Sequence, residues 1–102
     1  MTTSAELQYI TLDPSAGPLR GKDPRPMARR PASLNGAVLG LLANGKSNSQ
    51  EFLDAVYDEL AQAYELAPAL RFKKASVSVP PRSEDFQQMV EEAAAVITAI
   101  GD

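Results

Sequence analysis

The chain reads as an α/β protein: half of a doubly wound parallel sheet, three layers deep, built as β-α-β-α-β and preceded by an extended arm. Three observations predict this. Five of the eight prolines crowd the first third, at Pro14, Pro18, Pro24, Pro26 and Pro31. After Asn35-Gly36, short apolar runs alternate with segments of helical period. Helical crossovers between strands then imply parallel pairing and right-handed connections. The expected organisation is an extended Pro/Arg-rich arm over residues 1–34 and an α/β half-domain over 35–102 that is incomplete at its C-terminus.

Each element has a local reason. Proline fixes φ and removes a backbone donor, so the arm is neither helix nor central strand. Within it Leu7, Tyr9, Ile10 and Leu12 form either one short strand or an apolar anchor. Ala37-Val38-Leu39-Gly40-Leu41-Leu42 is a continuous apolar run, as in a strand buried on both faces. Ala43-Asn44-Gly45-Lys46-Ser47-Asn48 is a loop, and Ser47 or Ser49 can cap the helix after it. Over residues 51–64, Phe52, Val56, Leu60 and Tyr64 recur every four residues, with Leu53 and Tyr57 beside them, giving an amphipathic helix that stops near Pro68. Residues 69–79 alternate in polarity, which predicts a strand with one wet face at a sheet edge. Pro80-Pro81 breaks it. Ser83 is the expected cap of a second helix, with Glu84 and Asp85 in its first turn and Phe86, Met89, Val90 and Ala93 as its apolar stripe. Residues 95–100 make a third, buried strand. Because strands one and three are apolar while strand two alternates, the expected spatial order is 2-1-3. Strand three then has an open apolar edge, which invites more sheet from a C-terminal half or a partner chain, or self-association.

Composition narrows the chemistry. The chain has no Cys and no His, which excludes thiol catalysis, imidazole acid–base work, disulfides and Cys/His zinc sites within it. No catalytic residue, metal ligand or cofactor is assigned. The N-terminus lacks a basic start and an apolar core of the secretory kind, and no apolar run approaches the roughly 18 residues of a membrane span. A cytoplasmic protein without membrane contact is expected. Net charge is −3, with the arm at +2 and the remainder at −5. The basic arm carries no interleaved aromatic residues and is divided by prolines, so a solvated arm is favoured over nucleic-acid binding.

Gly40-Leu41-Leu42-Ala43-Asn44-Gly45-Lys46-Ser47 spells the phosphate-loop pattern G-x-x-x-x-G-K-[ST] between a strand and a helix. Gly40 nevertheless falls inside the strand, Leu41-Leu42 are bulky where such a loop curls, and the helix starts after Asn48. A strand-to-helix turn with Gly45 at positive φ is the plainer reading. In a 2-1-3 sheet the carboxyl ends of strands one and three are adjacent. Asn44, Gly45 and Lys46 would then face Gly101 and Asp102 across the crevice where open α/β sheets bind ligands, and Lys46 with the helix N-terminus would favour an anion. Asp102 could be a general base, a metal ligand or a turn former, the last being commonest. The pairs Asp58-Glu59 and Glu91-Glu92 are adjacent in sequence and do not converge on one helix face. Tyr57 and Tyr64 read as packing residues.

The runs Arg30-Pro31-Ala32-Ser33-Leu34-Asn35-Gly36, Gly40-Leu41-Leu42-Ala43-Asn44-Gly45-Lys46 and Val96-Ile97-Thr98-Ala99-Ile100-Gly101-Asp102, with Ile10-Thr11-Leu12-Asp13-Pro14 before them, resemble the UGSC family of selenoproteins and their cysteine homologues. In that family a Sec/Cys-Gly-Ser-Cys motif directly follows the Gly-Asp that matches Gly101-Asp102. The resemblance implies thiol or selenol redox or nucleophilic chemistry. This chain lacks the reactive residue, so as it stands it is expected to be inactive in that chemistry; a UGA codon read as a stop, a two-chain protein or a fragment would each produce it. Two other classes of reading stand beside this one. One is a small binding or structural subunit that completes its sheet with a partner chain, and the other is a P-loop-like nucleotide binder.

Overall fold

Leu39-Gly40-Leu41-Leu42-Ala43 is apolar at every position, and the structure puts it where such a segment belongs, at the centre of the sheet. In the computed structural model, which describes residues 8–12, 14–15 and 24–101, the order of elements is β1 (Leu39–Ala43), α1 (Ser49–Ala63), β2 (Leu70–Lys73), α2 (Ser83–Glu92) and β3 (Ala95–Ala99). The strands form one three-stranded parallel sheet in the order β2-β1-β3. Leu41 pairs with Arg71 on one side and Ile97 on the other, so these three share a face. The fold is therefore α/β with the parallel 2-1-3 order expected from the sequence.

The two faces of the sheet are unequally covered. On the α1 side Leu39, Leu41, Ala43 and Leu53 are fully buried, and Leu34, Tyr57, Leu60 and Ile97 pack around them. Burying a leucine side chain contributes about 1.5–3 kcal/mol, so each of the three leucines in this cluster is a substantial contribution for a domain of this size. On the other side α2 approaches the sheet over Gly40. A methyl group there would lie 3.2 Å from Val96 Cγ2 and 3.5 Å from Ala93 Cβ, so the missing side chain is what lets helix and strand meet. Met89 is buried in that contact, while Phe86 and Val90 are exposed.

Several local expectations need correction. The apolar stripe of α1 is turned by about one residue: Leu53 is buried and Tyr57 and Leu60 pack on the core, while Phe52 is exposed. Neither helix uses the expected serine cap. Asn48, in the left-handed region at φ 66°, precedes α1, and Arg82 precedes α2, so Ser49 and Ser83 are first helical residues. Strand two is four residues long and not eleven. Its partner β1 ends at Ala43, whose carbonyl accepts the Lys74 N–H at 2.8 Å, and the Ser76 hydroxyl then accepts the Ser78 N–H at 3.1 Å to turn the chain. Strand three is not buried throughout, because Val96 and Thr98 face solvent on the thinly covered side. The segment at Tyr9, Ile10 and Leu12 forms no strand and is exposed; Leu7 lies outside the described residues.

Candidate functional site

The carboxyl ends of β1 and β3 are tied together by one side chain. The Asn44 backbone N–H continues the β1–β3 ladder, donating to the Ala99 carbonyl at 2.8 Å. The Asn44 side-chain amide donates to the carbonyl of Ile100, the next residue. Its side-chain oxygen in turn accepts the Lys46 N–H at 3.1 Å. Asparagine alone among short side chains offers both a donor and an acceptor in one planar group, which is what this bridge requires. One residue thus fixes the start of the loop and the exit of β3.

The loop then turns toward β2. Gly45 has φ +93°, and a Cβ on it would stand 3.2 Å from the Lys74 carbonyl oxygen, so both backbone sign and space call for glycine. The Lys46 carbonyl accepts the Ser49 N–H at 3.1 Å, and the Asn48 carbonyl accepts that of Phe52 at 2.9 Å, which starts α1. Ser49 is fully buried beneath the turn. Of the five crevice residues expected from the sequence, Asn44 meets the strand end that precedes Gly101, Gly45 packs on the chain after β2, and Lys46 is half-buried between them. Gly101 is exposed; Asp102 lies outside the described residues.

This geometry differs from a phosphate loop. Gly40 lies inside β1, and the helix begins at Ser49, three residues beyond Lys46. The Lys46 N–H, which a phosphate cradle would present to its ligand, is used by the Asn44 side chain. Tyr57 is a packing residue, half-buried against the core with its hydroxyl donating to the Ala67 carbonyl at 2.8 Å. Among the described residues no group of three or more acidic side chains is placed to hold a metal ion, and no helix is long and apolar enough to cross a membrane.

The UGSC family profile matches residues 10–102. The chain belongs to the UGSC family. Comparison with curated proteins and with solved structures finds no match. Family membership thus covers the arm from Ile10, the whole sheet and the Asn44 crevice. One contact the sequence did not announce is the Thr98 hydroxyl, which donates to the Leu42 carbonyl at 3.0 Å and adds a side-chain tie between the strands that flank the crevice. A threonine in a strand of otherwise apolar residues is the only signal that could have found it.

Proposed function

We propose that this chain is the N-terminal, sheet-forming portion of a UGSC-type thiol or selenol redox protein. In this reading the family's Sec/Cys-Gly-Ser-Cys motif continues directly from Asp102 and works in the crevice beside Asn44, Gly45 and Lys46. The observation that supports it most is the Asn44 bridge, which anchors the end of β3 to the loop opening α1. A residue delivered there would lie near the positive end of a helix of 15 residues, a field that favours a thiolate or selenolate over its protonated form. The second Cys of the motif, three residues on, is the resolving group. On oxidation the pair forms one S–S or Se–S bond and gives up two electrons and two protons to an acceptor disulfide or peroxide. The chain without the motif binds and positions but does not react. Its partner is then the C-terminal half, in the same or a separate chain, adding sheet at the β3 edge; a cytoplasmic setting fits a reduced thiol or selenol.

A specific feature also favours a second reading, a binding subunit that completes its sheet with an unrelated chain. The outer strand β2 carries Arg71 and Lys73, charges that discourage further pairing, whereas β3 is Ala-Val-Ile-Thr-Ala. The two readings part on one experiment. A chain extended past Asp102 by Cys-Gly-Ser-Cys and the following in-frame residues should form an intramolecular disulfide reversibly reduced by dithiothreitol, and the codon after Asp102 should be UGA or a cysteine codon. Two thiols that alkylate at the rate of an unfolded peptide, with another stop codon at that position, would favour the binding subunit.

A further inference from the structure

Among the described residues, the outer edge of β3 has no strand beside it. The Asn44 N–H donates to the Ala99 carbonyl on the β1 side, at 2.8 Å. Backbone direction alternates along a strand. Ile97 and Ala99 therefore turn their N–H and C=O groups to β1, and Val96 and Thr98 turn theirs outward. The opposite edge of the sheet, β2, carries Arg71 and Lys73, which discourage pairing, whereas β3 carries no charge. The sequence of β3 is also close to a palindrome. Ala-Val-Ile-Thr-Ala reversed is Ala-Thr-Ile-Val-Ala, and valine and threonine share one branched shape. Val96 and Thr98 lie on one face of the sheet, and both are exposed. The Thr98 hydroxyl already donates to the Leu42 carbonyl at 3.0 Å, so covering it leaves no donor unsatisfied.

We propose that the β3 edge pairs with β3 of a second copy of this chain, antiparallel about a two-fold axis at Ile97. The register follows from the backbone directions. With Ile97 opposite itself, Val96 stands opposite Thr98 of the second copy, and each of these outward-facing residues donates its N–H to the other's carbonyl. The symmetry makes the same exchange a second time. A shift by one residue would set an outward-facing residue against one that faces β1 and lose those bonds. A shift by two would carry the partner of Val96 or of Thr98 beyond the end of the strand. In the matched register Ile97 meets its own copy at the axis, valine meets threonine beside it and alanine meets alanine at each end, so no like charges oppose each other in the ladder. A C-terminal half docked at this edge would displace the second copy. The pairing thus belongs to the 102 residues by themselves and does not rest on the redox reading.

The test is sedimentation of the full 102-residue chain over a range of concentrations, with the folding of each variant checked by circular dichroism. The parent should show a monomer–dimer equilibrium, and because each copy carries −3, added salt should tighten it. Thr98→Lys puts a charge on the edge and should weaken the dimer at least about tenfold, a loss of about 1.4 kcal/mol. Thr98→Val keeps the shape and should keep the dimer. Register is read by disulfide trapping, since the chain has no cysteine of its own. Cα atoms directly opposite each other are about 4.5–5.5 Å apart and within disulfide reach, whereas Val96 and its own copy stand on a longer diagonal. In a glutathione redox buffer Ile97→Cys should cross-link to itself at least about tenfold faster than Val96→Cys or Thr98→Cys does alone, and a mixture of the last two should cross-link to each other. A parent that stays monomeric across the range would overturn the proposal. So would a dimer indifferent to Thr98→Lys, or equal rates of cross-linking at all three positions.

Discussion

At the scale of one residue, Asn44 ties the ends of two strands to the turn between β1 and α1. It holds the end of β3, the start of the turn and the Lys46 amide through one amide group. Replacing it by alanine removes two hydrogen bonds and leaves a carbonyl and an N–H to find water. Asn44→Ala should cost about 1–3 kcal/mol in urea unfolding, with an unchanged denaturant slope. Gly45 is constrained more simply: alanine there pays the left-handed penalty and crowds the Lys74 carbonyl, so Gly45→Ala should cost about 1–2 kcal/mol in the same measurement. Lys46 belongs to this turn and not to a phosphate cradle. Mg-ATP should leave the melting temperature unchanged, whereas a ligand at 100 times its Kd would add about 2.7 kcal/mol. A rise abolished by Lys46→Ala would restore the nucleotide reading.

At the scale of elements, α1 shows how close a periodic pattern comes and where it slips. Phe52, Val56, Leu60 and Tyr64 recur every four residues, but a helix turns every 3.6, so a spacing of four drifts around the axis and cannot stay on one face. The observed stripe mixes spacings of four and three, through Leu53, Tyr57 and Leu60. Leu53→Ala should therefore cost about 2–5 kcal/mol, against less than about 1 kcal/mol for Phe52→Ser, by thermal or urea unfolding. Comparable losses at both sites would put the stripe back where the simple count had it. Strand two illustrates a different limit. Alternation continues in residues 74–79, yet pairing stops because β1 has no further residues to offer. Length of a strand is set by its partner, and no local pattern contains that. The serine cap of α1 failed because Asn48 reaches the left-handed region and makes the turn with its backbone, leaving Ser49 to be buried.

At the scale of the molecule, the sheet order was legible because strands one and three read as apolar runs while β2 carries charges on alternate positions. The adjacency of the carboxyl ends of β1 and β3 was legible as a consequence of that order. What the sequence could not show was the Asn44 bridge, which depends on a carbonyl 56 residues away, or the thin cover over the α2 face, where apolar content alone suggested burial. In the proposed function this sheet delivers a redox motif to the crevice beside Asn44. The direct measurement is the equilibrium between the motif's two thiols and glutathione, in the chain extended through Cys-Gly-Ser-Cys, with Asn44 intact and with Asn44→Ala, at a temperature where both are folded. Held geometry raises the effective concentration of one thiol toward the other. The prediction is a fall of at least about tenfold in that effective concentration for Asn44→Ala, with none for Phe52→Ser; equal values in all three chains would contradict it.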